Sequence, residues 1–212
     1  MIKTMKMIKI FLIAINALAL STISNAKSDI APKYQNPDQI LAQLKKGGYV
    51  IYLRHHATRR DQEDTDKKNL KNCKTQRNLS DAGRKGSEDI GKAFLKLGIK
   101  VSSVVSSPYC RCIDTAKLAF KETSINEDLH FSIGVDKKER ERRAKALRML
   151  LDIPPTKGTN SIIVSHTANL KEAKNIWPKP EGVMHIFLPR KGEEALYIGK
   201  IDPSIWKKVL AN

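Results

Sequence analysis

Val50-Ile51-Tyr52-Leu53-Arg54-His55-His56-Ala57-Thr58 is the stretch around which the chain is organised. Four apolar residues, opening on β-branched Val and Ile, read as a buried strand. They run straight into a guanidinium and two imidazoles. An open α/β sheet puts its chemistry just outside the carboxyl ends of its strands. The pattern recurs twice. Val101-Ser102-Ser103-Val104-Val105-Ser106-Ser107-Pro108 leads to Arg111, and Ile162-Ile163-Val164-Ser165 leads to His166. Three strand ends thus deliver two arginines and two histidines, a set suited to holding a phosphoryl group and attacking it.

The rest of the chain alternates helix and strand, which predicts an α/β fold with a largely parallel central sheet. Pro37-Asp38 opens a short helix with Ile40, Leu41 and Leu44 on one side, closed by Gly47-Gly48. Residues 57–79 are polar and aperiodic, and a loop of that length in a compact domain is usually functional or disordered. Ser80 caps a helix whose Ile90, Ala93, Phe94 and Leu97 fall on one face, ended by Gly98. After Pro108 a helix is expected to bury Ile113, Ala116 and Phe120. Leu129 to Ile133 reads as a short strand. From Asp136 to Leu151 runs a charged helix with Glu139–Arg143 and Glu141–Lys145 pairs and a core stripe of Ala144, Leu147 and Leu151. A short helix over 169–175 follows His166. Two strands, 183–188 and 195–198, flank Lys191-Gly192, and a last helix packs Ile205, Trp206 and Leu210.

Length and charge bound the possibilities. The chain has 212 residues, enough for one domain with a real core. Its first segment reads differently: Lys3, Lys6 and Lys9 precede an apolar run from Ile10 to Leu20, broken only by Asn16. Ser24-Asn25-Ala26 then offers small residues at the positions a signal peptidase reads. This is a secretory pattern, and the run is too short to span a bilayer. Residues 1–26 are therefore expected to be a signal peptide, or, uncleaved, an anchor; residues 27–212 form a single domain. Periplasmic or secreted localisation, with no stable membrane insertion after cleavage, follows. The net charge of +17 falls to +14 on cleavage. Such a domain attracts anions, including phosphorylated metabolites and anionic envelope surfaces. Nucleic acid is not expected as a partner, because aromatics are only 6% and no basic-aromatic platform is present.

Cys73, Cys110 and Cys112 allow at most one internal bridge. In an exported chain a pair is more readily oxidised than metal-bound, and Cys-Arg-Cys without a second ligand pair is a poor zinc signal. No metal or other cofactor is expected. Chemically, Arg54 and Arg111 can each donate paired hydrogen bonds to phosphoryl oxygens. Their charge disfavours protonation of His55 and keeps it nucleophilic. His166 supplies a further donor, and His55 would form a phosphohistidine that water resolves.

Leu53-Arg54-His55-His56-Ala57-Thr58 resembles the Arg-His-Gly-x-Thr signature of the histidine phosphatase (phosphoglycerate mutase-like) superfamily. Ser106-Ser107-Pro108-Tyr109-Cys110-Arg111 with Thr115-Ala116 resembles its second motif, and Val164-Ser165-His166 its late Ser/Gly-His motif. The resemblance runs from about Gly48 to the end of the sheet. It implies a three-layer α/β/α sandwich, no metal, His55 as phosphorylated nucleophile, and a phosphate pocket of Arg54, Arg111 and His166, with Thr58 a secondary pocket residue. It also implies a Cys73–Cys110 bridge with Cys112 left over. Two departures stand out. His56 replaces the usual Gly or Ala, and a larger side chain there is expected to narrow the pocket or add a donor. The Glu that mutases carry on an insert after the second-Arg helix has no clear counterpart, since Asp136, Glu139 and Glu141 lie in a charged helix pattern. The chain thus resembles the short exported phosphatase type, and a phosphorylated small molecule or glycan is the expected substrate.

The leaving-group acid is the least determined role. Glu181, in Pro180-Glu181-Gly182, is the first candidate and Asp64, in the long loop with Glu63 and Asp66, the second. The competing functions are a non-catalytic phospholigand-binding protein on the same fold and a phosphotransferase or mutase.

Overall fold

The computed structural model describes residues 31–212, so the expected signal peptide lies outside the described residues. Six strands form one sheet in the order β3-β2-β4-β1-β5-β6. The strands are β1 (Val50–Arg54), β2 (Val101–Ser106), β3 (Ser124–Ile125), β4 (Asn160–Ser165), β5 (Met184–Arg190) and β6 (Glu193–Ile201). The first four in that spatial order run parallel, while β5 and β6 add antiparallel to β1 and to each other. Helices α1 (Pro37–Lys46), α2 (Asp81–Leu97), α3 (Cys110–Phe120) and α6 (Ser204–Ala211) cover one face, with α4 (Lys137–Leu151) and α5 (Thr167–Lys174) on the other. The fold is the expected three-layer α/β/α sandwich.

The alternation of β1 explains the layers. Ile51 and Leu53 enter the core under α1, α2 and α3, whereas Val50 and Tyr52 enter the core under α4 and α5. All four are fully buried. At roughly 1.5–3 kcal/mol for burying each such side chain, this strand is the spine of both cores. Local signals set the helix ends. The Asn36 side chain accepts from Asp38 N–H at 2.8 Å with Pro37 in the first turn, and Ser80 Oγ accepts from Gly83 N–H at 3.1 Å. Gly98, at φ +68°, closes α2 in the left-handed conformation that a side chain resists.

Three expectations are corrected. Residues 129–133 are not a strand: the edge beside β2 is taken by Ser124–Ile125, and Asn126 then caps a 3₁₀ turn over Glu127–Leu129. In α3 the buried stripe is Cys112, Ala116 and Ala119, with Ile113 turned partly outward and Phe120 only partly buried. Small residues win that face because α2 approaches closely; a Cβ on Gly91 would stand 2.2 Å from the Ala119 carbonyl oxygen. Finally, Glu141 pairs with Lys137 at 3.8 Å rather than with Lys145, while Glu139 pairs with Arg143 as the spacing implies.

One buried amide ties the lower ends of the strands together. Asn160 donates to the carbonyls of Leu44 and Lys100 at 2.9 and 3.1 Å and accepts from Tyr49 N–H at 3.3 Å. It thus joins the end of α1 to the starts of β1 and β2. Replacing it strands buried backbone groups, each costing about 1–3 kcal/mol. Asn160→Ala is expected to lower the unfolding free energy by about 3 kcal/mol, read from urea midpoints at constant m-value.

Candidate active site

Register brings the three strand ends level. Arg54 lies opposite Ser165 in the β1–β4 pairing, and His55 N–H continues it by donating to Ser165 O at 3.0 Å. On the other side of β4, Ser107 N–H donates to Val164 O at 2.9 Å. Arg54, His55, Arg111 and His166 therefore meet at one end of the sheet, as the sequence implied. His55, Arg111 and His166 are 3%, 1% and 1% exposed, and the His55 and His166 rings lie 5.5 Å apart, edge to face.

The His55 ring has a defined state. Its Nδ1 lies 3.0 Å from the carbonyl oxygen of His56, which can only accept, so Nδ1 carries the proton and Nε2 keeps its lone pair. Burial, then the charge of Arg111, pushes the imidazole well below its ordinary pKa; the bond to His56 O opposes. His166 is driven down by burial, then by Arg111 and His55. Its Nε2 sits 2.8 Å from Ser107 Oγ, and its backbone carbonyl accepts from the Tyr52 hydroxyl. The side chain of Cys112 stands 3.6 Å from the same Nε2, its thiol pushed up to about 12 by burial.

A third arginine, Arg77, joins the two that the sequence singled out. Its charge acts on both His55 and Arg54. Four arginine Nε donors are buried without a partner among the described residues, and three of them belong to Arg54, Arg77 and Arg111. Unsatisfied buried donors are rare and call for an acceptor. Arg111, Arg54 and Arg77 all lower the His55 imidazole by their charge, and guanidinium groups gathered beside a neutral imidazole suit an oxyanion.

Two carboxylates already face these cations. Asp64 accepts from Arg111 Nη1 at 2.9 Å and from Arg77 N–H at 3.0 Å. Glu181 lies 3.6 Å from Arg54 Nη2 and 3.9 Å from His55 Nδ1, and accepts from Thr58 Oγ1 at 2.9 Å and Thr58 N–H at 3.3 Å. Thr58 thus spends both donors on Glu181. Of the other loop acids, Glu63 is exposed and Asp66 accepts from Lys68 N–H and Asn69 N–H in its own turn. In α4, Asp136 caps the helix and Glu139 is held at about 2 by Arg142 and Arg143, so neither stands among these groups.

The loop that carries Asp64 and Arg77 is tied down covalently. Cys73 and Cys110 form a disulfide, Cys112 is free, and buried Gln76 bonds Leu70 O and Cys110 N–H at 2.9 and 3.0 Å. Closing a loop of this size is worth about 4 kcal/mol by chain entropy. Aromatic rings wall the pocket: the Arg111 guanidinium carbon lies 4.5 Å from the Tyr109 ring centroid and 5.9 Å from that of Phe131. Sequence reasoning missed Arg77 and Phe131. For Arg77 the usable signal was its place three residues before the Ser80 cap, at the end of a long polar loop; Phe131 offered none.

His56 does not take the place expected of it. Its ring is seated between Gly86 of α2 and Gly182, where a Cβ on either glycine would come within 2.2 and 2.8 Å of it. Among the described residues no group of three His, Cys, Asp or Glu side chains is gathered as metal ligands.

No protein-family model matches the chain, and no curated protein does. Solved structures do. Bacillus stearothermophilus YhfR superposes with a TM-score of 0.54 at 15% identity, over 73% of this chain and 98% of that one. A mutant phosphoserine phosphatase from Entamoeba histolytica, bound to phosphoserine, gives 0.52 at 14%, over 73% and 97%. The α-ribazole phosphatase of Shigella flexneri gives 0.52 at 13%, over 70% and 94%. The chain has the histidine phosphatase fold. Within that fold the three motif segments quoted from the sequence occupy adjacent strand ends.

The histidines make stability depend on pH. All five are lowered, first by burial in each case. A depressed imidazole is neutral in the fold while the unfolded chain protonates near 6.5, so stability present above pH 6.5 is lost as pH falls below it. For a fully buried ring such as His55 the slope is about 1.4 kcal/mol per pH unit until its folded pKa is reached. Unfolding free energies at pH 7 and 5.5 are expected to drop accordingly, and His55→Gln should flatten the dependence by that one histidine's share.

Proposed function

We propose that the chain is an exported phosphomonoesterase that works through phospho-His55. The observation that carries this reading is a buried imidazole with its Nε2 lone pair free, ringed by three arginines whose Nε donors lack partners. The solved structures of the same fold include phosphatases of phosphoserine and α-ribazole phosphate, which supports phosphate-ester hydrolysis without naming this chain's substrate.

In the first step His55 Nε2 attacks phosphorus and the ester P–O bond breaks, its electron pair leaving on the alcohol oxygen. Arg54, Arg111 and Arg77 bind the equatorial oxygens, where charge is densest in the transition state, and His166 adds a donor from across the pocket. We assign the proton for the leaving oxygen to Glu181, the carboxylate beside Arg54 and Thr58, with Asp64 on Arg111 as the competing group. In the second step water attacks phosphorus, returns that proton to the carboxylate, and the P–N bond breaks to give phosphate and neutral His55. Because Glu181 faces Nδ1, the same carboxylate balances the charge the ring gains while phosphorylated.

Turnover of an aryl phosphate by the purified protein in the presence of a chelator is the expected result. His55→Ala should abolish it, and acid-labile, base-stable phosphate should appear on wild type only. Binding of tungstate or phosphate with no turnover would instead leave a phospholigand-binding protein. The proton donor separates on leaving groups. Glu181→Gln should slow alkyl phosphates by roughly 10²–10⁴-fold while sparing nitrophenyl phosphate, whose leaving group needs no proton. Small, equal losses for both esters would move the role to Asp64 or to water.

Export rests on the amino-terminal pattern and is supported by the Cys73–Cys110 disulfide, since such bridges persist in oxidising compartments. Among the described residues no helix is long and apolar enough to cross a membrane. Amino-terminal sequencing of the protein from a periplasmic fraction should begin near Lys27. An intact Met1 on cytoplasmic protein would refute export and leave the chemistry untouched.

A further inference from the structure

The residue after the nucleophile is bonded through its backbone N–H, its carbonyl and its ring. His56 N–H donates to Thr115 Oγ1 at 3.0 Å, and that hydroxyl donates to Arg111 O at 2.7 Å, so His56 is tied to the arginine-bearing turn of α3. Its carbonyl accepts from His55 Nδ1 at 3.0 Å. Its side-chain Nδ1 accepts from Ala57 N–H at 2.8 Å, which places the proton of the neutral ring on Nε2. The ring edge beyond fills a slot cut by two glycines from separate segments. A Cβ on Gly86 would stand 2.2 Å from Nε2, and one on Gly182 would stand 2.8 Å from Nε2 and Cδ2. Gly182 also donates its N–H to the carbonyls of His55 and Arg54 at 3.1 and 3.2 Å.

Two glycines cleared for one ring, and a ring nitrogen spent on the next peptide, fix the peptide plane between residues 56 and 57. That plane sets the direction of the carbonyl on which the His55 ring hangs. We propose that His56 is a positioning residue: keyed between Gly86 and Gly182 and bound to Ala57 N–H, its imidazole holds the residue-56 carbonyl against His55 Nδ1 and so aims Nε2 into the arginine pocket. The inference rests on His55 being the nucleophile. His56 itself touches neither the phosphoryl group nor the leaving group. It acts on kcat through geometry, where a displacement on the order of 1 Å can cost about 100-fold.

Gly86→Ala is the sharpest test, because it adds one methyl group in a helix that Ala favours over Gly. The folded protein should persist while the new Cβ pushes the His56 ring out of its slot. Turnover of nitrophenyl phosphate should fall by roughly 10–100-fold in kcat, with KM changed by less than about twofold. His56→Ala should give a similar loss, His56→Asn should recover part of it by offering Oδ1 to Ala57 N–H, and Gly86→Ala should cost nothing further once His56 is Ala. A second measurement needs no turnover. Long-range ¹H–¹⁵N correlation on ¹⁵N-histidine protein should show His55 as the Nδ1–H tautomer and His56 as the Nε2–H tautomer in wild type, with His55 losing its single tautomer in Gly86→Ala and in His56→Ala. Unchanged kcat and an intact His55 tautomer in both variants would overturn the proposal. So would an equal effect of Gly86→Ala with and without His56. Wild type lacking any His55-dependent turnover would defeat the phosphatase reading, and the tautomers would still decide the role of His56.

Discussion

Three guanidinium groups are gathered, mostly buried, around one imidazole that has no charge of its own. This is the constraint that the rest of the site answers. Removing a cation from water costs several kcal/mol unless an anion and hydrogen bonds replace the water. Asp64 and Glu181 replace part of it, one on Arg111 and one on Arg54, and each carboxylate is itself held by backbone or hydroxyl donors. Three positive and two negative groups leave a surplus of positive charge beside His55. The surplus cannot relax by moving outward: Arg111 is stacked on Tyr109 in the first turn of α3, and Arg77 stands one residue from Gln76, whose amide is bonded to Cys110 N–H.

The sheet supplies rigidity to that arrangement. Parallel pairing of β1, β4 and β2 puts Arg54, His166 and Ser107 level within one register, and two cores clamp the strands from both faces. The loop between β1 and α2 is different. It has little apolar burial, and its position depends on the Cys73–Cys110 bridge, on Gln76, and on the short Thr58–Leu79 bridge at its mouth. Half of the pocket is thus held by packing and half by a covalent tie.

That division decides what the sequence could show. Strand ends were legible because a buried strand must be apolar up to the residue where it leaves the core, so the change from Leu53 to Arg54 marks the exit. The capped start of α2 was legible at Ser80, where a short polar side chain precedes the apolar stripe. Arg77 was not, because an aperiodic loop carries no register and its residue 77 reaches the pocket only once the disulfide has been drawn. The error at Ile113 has a different origin. Helical spacing alone allows two faces for α3, and the choice between them was made by Gly91 against Ala119, a contact between residues 28 apart in sequence. Leu129 to Ile133 read as a strand from its apolar content, yet Leu129 is buried under α4 and its carbonyl accepts from Ser165 and Asn169 side chains instead of from a neighbouring strand. His56 was visible as an anomaly in a familiar motif, but its partners Gly86 and Gly182 lie 30 and 126 residues away, and nothing in the spacing joins them.

On the proposed reading, the nucleophile and its substrate correct each other's electrostatic cost. Neutral His55 is held neutral by burial and by the arginines, and adding a proton there is opposed by both. Phosphorylation places the equivalent positive charge on the ring, which the same surroundings should also oppose. The difference is that a proton arrives alone, whereas a phosphoryl group arrives with its own oxyanions, which the three guanidinium charges attract. A carboxylate already present on Arg111 makes the exchange sharper still. Asp64 carries one negative charge and a planar pair of oxygens, so it satisfies one guanidinium edge and leaves the Nε donors of Arg54, Arg77 and Arg111 unmet. A tetrahedral dianion can address several at once. The pocket therefore discriminates by charge and by shape together, and the neutrality of His55 is the condition that lets an anion approach a nucleophile without repulsion.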